Sequence, residues 1–518
     1  MLTEDLRERI NKLSLVKRQL LNQQLRRQRA VSTSFSPILS GTAAATAPLS
    51  FTQQQVWRTQ SAYPTATFYN FPQVLQLEGT LNMAALANAL RYLAARHDVL
   101  RTRFALAGDT PCAVIGTPPA AVDLRFVPDD PPFSAFEAAS ALHHTLTVDD
   151  LLYRQVARPF DLTADLPLSA QLLRIAPDQH FLSLVHHFVA FDYWSLNLFN
   201  RELGHCYNAY AGGITPTLPP LPYTYADYAV WQHSPENLDH LATMSHYWRW
   251  QLAKRTPAGA ALADRPYQPV TTFAADSFEF CLPAPMLRRL ERLAQHENAT
   301  LFMLLLGSLQ VLLGRYTGRH QIATGALVAN RPVLESELLL GNFSNRLLLW
   351  GNLAGNPTFR QLLHRVRSAT LDAYARQEMP LESVARDLNP ECCGIDAGDL
   401  FPVMFDYVNE PLVSPNLHGL TVTRLPMQSG ESEYPLHVTA QRSENHLRVR
   451  LQVRPDFAVR TAVSHMAYHW NTMLSAIAED PEQQIESLPL TRNQPRPYGA
   501  SSWLARPGTL SSSPAVRL

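Results

Sequence analysis

The order of apolar and polar positions divides the 518-residue chain into unequal stretches. Over residues 3–29, Leu6, Ile10, Leu13 and Val16 recur near helical spacing among charged neighbours, which predicts an amphipathic N-terminal helix. Residues 31–48 (VSTSFSPILSGTAAATAP) lack that period and are rich in Ser, Thr, Ala and Pro, as a linker is. The body that follows mixes both periods. Leu86, Leu90 and Leu93 share one face of a helix ending near Arg96, whereas Leu447, Val449, Leu451 and Val453 alternate with polar residues as a half-buried strand does. Pro-rich breaks fall at 215–223 and 256–269, and the first, near the midpoint of the body, predicts a boundary between two lobes. The expected organisation is a helix and linker over 1–47, one lobe over 48–218, a second over 219–490, and a Pro/Ser-rich disordered tail over 491–518.

Composition narrows the partners. Hydrophobic residues make up 46% of the chain, enough for large buried cores, while 44 Lys+Arg balance 44 Asp+Glu. That neutrality argues against nucleic acid or an anionic membrane as the main partner. The start, MLTEDLRERI, is charged where a signal peptide needs an apolar core, and the most apolar stretch, Leu301 to Leu313, is interrupted by Gly307, Ser308 and Gln310. It reads as a buried helix. Cys112, Cys206, Cys281, Cys392 and Cys393 show no metal or redox spacing, so reduced thiols, a cytoplasmic location and no metal site are expected. No glycine-rich phosphate loop follows a strand.

The densest chemistry lies in Phe181–Glu202 (FLSLVHHFVAFDYWSLNLFNRE). An apolar strand ends in His186 and His187, a short loop reaches Asp192, and Trp194-Ser195 opens a helix on which Leu196, Phe199 and Leu203 share a face. One histidine at a strand end is commonly a satisfied core residue; a histidine pair, an aspartate and a helix start within so few residues require buried partners or a function.

Those residues resemble the HHxxxDG signature, followed by WS, of nonribosomal peptide synthetase condensation domains. Other segments match in order: Leu49-Ser50 with Gln53 and Trp57 (LSFTQQQVW), Arg96–Phe104 (RHDVLRTRF), Tyr225–Gln232 (YADYAVWQ), Gly341–Asn345 (GNFSN) and Pro402–Phe405 (PVMF). The resemblance covers roughly residues 48–490. It implies an α/β (α+β) fold of two chloramphenicol-acetyltransferase-like lobes in a V-shaped pseudo-dimer, with the HHxxxDG loop at the middle of a central tunnel. It further implies a free-standing, monomeric acyltransferase with no bound cofactor, which joins a thioester carried on the phosphopantetheine of a donor carrier protein to an amine or alcohol acceptor, itself delivered by a second carrier protein in the family, with His187, His186 and Asp192 as the candidate catalytic residues. By position it implies an Asp192–Arg101 ion pair supporting the site, beside Trp194 and Ser195, and it makes Asn345, Asp406 and His437 tunnel candidates by segment.

Register decides how far the chemistry carries over. Asp192 holds the family's spacing to Trp194, Ser195 and the Arg201-Glu202-Leu203 triplet, so counting back puts His187 and Phe188 at the two histidine positions and Tyr193 at the glycine. Two readings stay open. One inserted residue between His187 and Asp192 restores His187 to the catalytic place; without it the loop reads HxxxxDxxS, the spacing of heterocyclization domains, and Phe188 stands where a proton acceptor is needed. A phenylalanine neither accepts a proton nor donates a hydrogen bond. Besides acyl transfer, the substitutions at Phe188 and Tyr193 therefore suggest a non-catalytic platform that binds carrier proteins or recruits a tailoring enzyme.

Overall fold

The computed structural model describes residues 45–119, 124–127, 148–253, 272–331, 334–388, 400–409, 411–427, 430–443, 445–457 and 460–491. The helix expected over 3–29 lies outside them, as does the tail apart from Thr491. The last residues of the expected linker are a strand.

The first half of the chain runs β1 (Thr46–Pro48), α1 (Phe51–Ala62), β2 (Asn70–Gly79), α2 (Met83–Arg96), β3 (Thr102–Ala107), β4 (Thr110–Ile115), β5 (Leu124–Val127), α3 (Val148–Val156), β6 (Leu168–Ala176), β7 (Gln179–His187), α4 (Tyr193–Ala211), α5 (Tyr225–Gln232) and α6 (Pro235–Ala253). The second runs β8 (Asp276–Pro283), α7 (Ala284–His296), α8 (Leu301–Thr317), β9 (Gln321–Val328), β10 (Asn345–Asn352), α9 (Phe359–Tyr374), α10 (Leu381–Leu388), β11 (Val403–Val408), β12 (Leu420–Leu425), β13 (Leu436–Arg442), β14 (His446–Val453) and α11 (Arg460–Glu479). Among these, one sheet is ordered β12-β2-β7-β6-β5 and another β10-β9-β11-β13-β14-β8, each mixing parallel and antiparallel pairs; β1, β4 and β3 form a small third sheet.

Each large sheet carries its own core. In β7 the period of two sends Leu182, Leu184 and His186 toward α2 and α4, while Ser183 and His187 face the side covered by α3. In the second lobe Leu436, Val438 and Ala440 of β13 join Leu447, Val449 and Leu451 of β14 against α7, α8 and α11. Helix α8 is the expected buried helix. The side chain of Thr300 accepts from Met303 N at its start, Gly318 ends it at φ +67°, and every residue from Met303 to Gly314 is buried.

The expected lobe boundary at 218/219 is crossed in both directions. Tyr223, Tyr225, Tyr228 and Trp231 pack into the first core with Leu339, Leu340, Phe343, Leu412 and Leu417, while the second core begins at Met244. Strand β12 leaves the second lobe to pair antiparallel with β2, Leu420 opposite Gly79 and Leu425 opposite Val74.

Candidate functional site

Strand β7 delivers its two histidines to opposite faces. His186 points under α4, edge-on to Phe191 and Phe199 at centroid distances of 4.5 and 5.1 Å. Its Nδ1 meets the Phe71 carbonyl at 3.3 Å, so that nitrogen holds the proton, and its buried Nε2 has no partner. His187 lies against Phe160 and Tyr69 on the other face. Its Nδ1 accepts from Val189 N–H at 3.2 Å, which leaves the proton on Nε2, and that Nε2–H has no hydrogen-bond partner among the described residues. Burial pushes both imidazoles down from 6.5 to about 3. The backbone leaves the strand at Phe188, whose N–H still bonds Tyr69 O, and a turn closed by Ala190 N–H to His187 O follows. The Phe188 ring stacks on Tyr69 (5.5 Å, 17°) and meets Phe71 edge-on; His187 is only 1% exposed and Phe188 7%.

Asp192 ends that loop as the N-cap of α4. Its Oδ1 accepts from Ser195 N at 2.7 Å, which satisfies one of the helix's free amides. The same carboxylate accepts from Phe343 N (3.2 Å) and from Arg331 Nη2 at 3.1 and 3.2 Å. The implied Asp192–Arg101 pair does not form: Arg101 turns back to donate to Gly116 O at 2.6 Å. Arg331 also donates to Ser195 Oγ (2.9 Å) and lies over the Phe343 ring at 4.1 Å, while Trp194 Nε1 donates to Glu337 O. Ser195 Oγ donates in turn to Gly341 O and accepts from Gly341 N. A Cβ at Gly341 would fall inside the Tyr225 ring, which explains the glycine opening GNFSN. Asp98 accepts from the first amides of α5, Tyr225 N and Ala226 N, whereas His97 and Arg96 both hold Glu202. Tyr193 is half-buried against the first core.

In the second lobe, Asn345 is fully engaged: its Nδ2 donates to Gln377 O and Met379 O at 2.7 and 2.8 Å. His437 Nε2 and Asp406 Oδ2 lie 2.8 Å apart, and Asp406 Oδ1 accepts from Leu327 N. The sequence reading missed the polar residues that join the lobes and the network behind them. Besides Arg331, Tyr69 OH donates to Glu433 Oε1 at 2.6 Å, and Arg346 pairs with Glu433 (2.9 Å) and Glu382 (3.0 Å) while donating to Tyr434 OH. The signal was available for one of them: Arg346 interrupts the apolar strand NRLLLW, and a cation there demands partners. Among the described residues no group of His, Cys, Asp and Glu could hold a metal ion, and no single helix is long and apolar enough to cross a membrane.

Two mixed sheets, each backed by helices and joined beside a histidine-bearing strand end, define the condensation-domain class of α/β fold. The X-domain of teicoplanin biosynthesis superposes with a TM-score of 0.76 at 23% identity, over 88% of this chain and all (100%) of that one. The first condensation domain of the calcium-dependent antibiotic synthetase gives 0.69 at 19%, over 87% of this chain and 100% of that one. Sequence carries the assignment further. Residues 43–496 match the family described as the condensation domain, and the chain belongs to it. A linear gramicidin synthase of Brevibacillus parabrevis is 32% identical over 88% of this chain but 6% of its own length. The isonitrile lipopeptide synthase of Mycobacterium tuberculosis is 30% identical over 88% of this chain and 18% of its own. The chain thus spans a small part of the nonribosomal peptide synthetases it matches.

Proposed function

We propose that the chain performs condensation-type acyl transfer in nonribosomal peptide or related biosynthesis, joining a carrier-protein-bound thioester to an amine or alcohol. The observation that carries this reading is the bond from Val189 N–H to His187 Nδ1. It occupies the imidazole's lone pair and leaves Nε2–H as a fixed donor, which suits the oxyanion of a tetrahedral intermediate rather than the removal of a proton. Holding two tethered reactants in one cleft supplies most of the remaining rate. A single-turnover assay with acyl-loaded donor carrier protein and an amine acceptor tests it. His187→Ala is expected to lower the rate about 10²–10³-fold, with no change in the pH profile near neutrality. Equal rates for wild type and variant would remove His187 from the chemistry.

A specific observation favours a second reading, a platform for partner proteins. His187 is 1% exposed with the Tyr69 and Phe160 rings against it, and substrate reaches it only if side chains around it move. The teicoplanin X-domain is also known in complex with OxyB. Binding of carrier or tailoring protein without turnover of any loaded donor would establish the platform.

A further inference from the structure

If His187 donates, the acceptor's proton needs another destination. We propose that the His437–Asp406 pair of the second lobe receives it, an inference that rests on the acyl-transfer reading above. The two residues stand on adjacent parallel strands: Met404 lies opposite His437 and Asp406 opposite Thr439 in the β11–β13 register. Leu436, Val438 and Ala440 point into the second core, so alternation turns His437 to the opposite face, where its side chain is 22% exposed. That face looks toward the first lobe. Leu327, whose N–H bonds Asp406 Oδ1, packs its side chain against the first core, and Glu433, just ahead of β13, accepts from Tyr69, whose ring is 6.0 Å from that of His187.

Hydrogen bonding assigns the tautomer. A carboxylate only accepts, and Asp406 Oδ2 lies 2.8 Å from Nε2, so His437 carries its proton on Nε2 and presents the lone pair of Nδ1. Nδ1 has no hydrogen-bond partner among the described residues. This is the reverse of His187, whose lone pair is taken. In the step proposed, the acceptor nitrogen adds to the thioester carbonyl carbon while its proton passes to His437 Nδ1. The C–S bond then breaks, and the departing thiolate takes that proton. An amine and a thioester become an amide and a thiol, with nothing oxidised or reduced. Asp406 is a positioning residue that holds the ring and stabilises the imidazolium.

The full chain is assayed with octanoyl-loaded carrier protein as donor and leucyl N-acetylcysteamine thioester as acceptor. His437→Ala is expected to lose about 10²–10⁴-fold in rate, and added imidazole to restore part of it, which a merely structural defect would not allow. His437→Gln, which keeps a hydrogen bond to Asp406 but offers no basic nitrogen, is expected to fail as badly without losing thermal stability. Asp406→Asn is expected to lower kcat more than it raises KM and to shift the His437 tautomer seen by ¹⁵N NMR. Undiminished turnover by His437→Gln beside an active wild type overturns this inference and leaves acyl transfer standing. A wild type no faster than the His187→Ala/His437→Gln double variant overturns both.

Discussion

Neither imidazole of His186 or His187 takes up its second proton in the folded chain until about pH 3, whereas in the unfolded chain each becomes an imidazolium below about 6.5. Between those values the unfolded state binds more protons, so stability is complete above 6.5 and drains away as pH falls toward 3. Each histidine contributes a slope of about 1.4 kcal/mol per pH unit in that window. His186, sealed between Phe191 and Phe199 with an orphan Nε2, is the cleaner probe, because no step of the proposed chemistry uses it. His186→Phe is expected to remove about half of the slope that the pair produces, measured as the change in urea midpoint between pH 7 and pH 4.5. An unchanged slope would mean that the pair does not titrate as buried groups. The residue types of this site were legible in the sequence; which nitrogen carries the proton was not, because that depends on Phe71 O, brought near by the paired strand, and on Val189 N–H, placed by the turn after His187.

At the scale of elements, the strand–loop–helix unit of β7 and α4 was readable because each part has a local signal: an apolar run ending in the histidines, a capping aspartate, and an apolar stripe from Leu196 to Leu203. The partner of Asp192 had no such signal. The family resemblance points to Arg101, but the 3₁₀ turn that carries Arg101 leaves its guanidinium on Gly116, and Arg331 arrives instead from the far side of the chain. Both members of that pair are nearly inaccessible, so losing one strands the other. Asp192→Ala is expected to destabilise by about 3–5 kcal/mol, because it removes an N-cap and leaves Arg331 buried without its carboxylate. Arg101→Ala should cost about 1 kcal/mol, the loss of one hydrogen bond to a carbonyl. Denaturant unfolding of the two variants separates the assignments; similar losses would return Arg101 to the site. The double variant Asp192→Asn/Arg331→Met is expected to lose less than the sum of its singles, the sign of a direct pair.

For the whole molecule, the two lobes are bound together by devices that cross the Pro-rich break. A Pro-rich stretch at 215–223 looks like a boundary, yet α5 packs back on the first core and β12 extends the first sheet from within the second half of the chain. Between them runs a buried polar chain: Tyr69 on the first lobe, Glu433 and Arg346 on the second, then Glu382 at α10. Burial alone would lower the Arg346 guanidinium, but the surrounding acidic groups outweigh it and hold it charged, while Tyr69 is pushed well above its ordinary range and stays a neutral donor. The chain meets the site at one ring, since Tyr69 also stacks on Phe188 and lies edge-on to His187. Tyr69→Phe keeps that stack and deletes only the hydroxyl, leaving Glu433 Oε1 unsatisfied, at a cost of about 1–3 kcal/mol. Tyr69→Ala removes the stack as well, and should both destabilise further and admit solvent to His187. Hydrogen–deuterium exchange read together with diethyl pyrocarbonate modification distinguishes the two effects. The phenylalanine variant is expected to exchange faster around 431–434 while His187 stays protected, and the alanine variant to lose protection at both. If His187 reacts equally in wild type and Tyr69→Ala, the aromatic stack is not what covers it, and access to the site is governed elsewhere between the lobes.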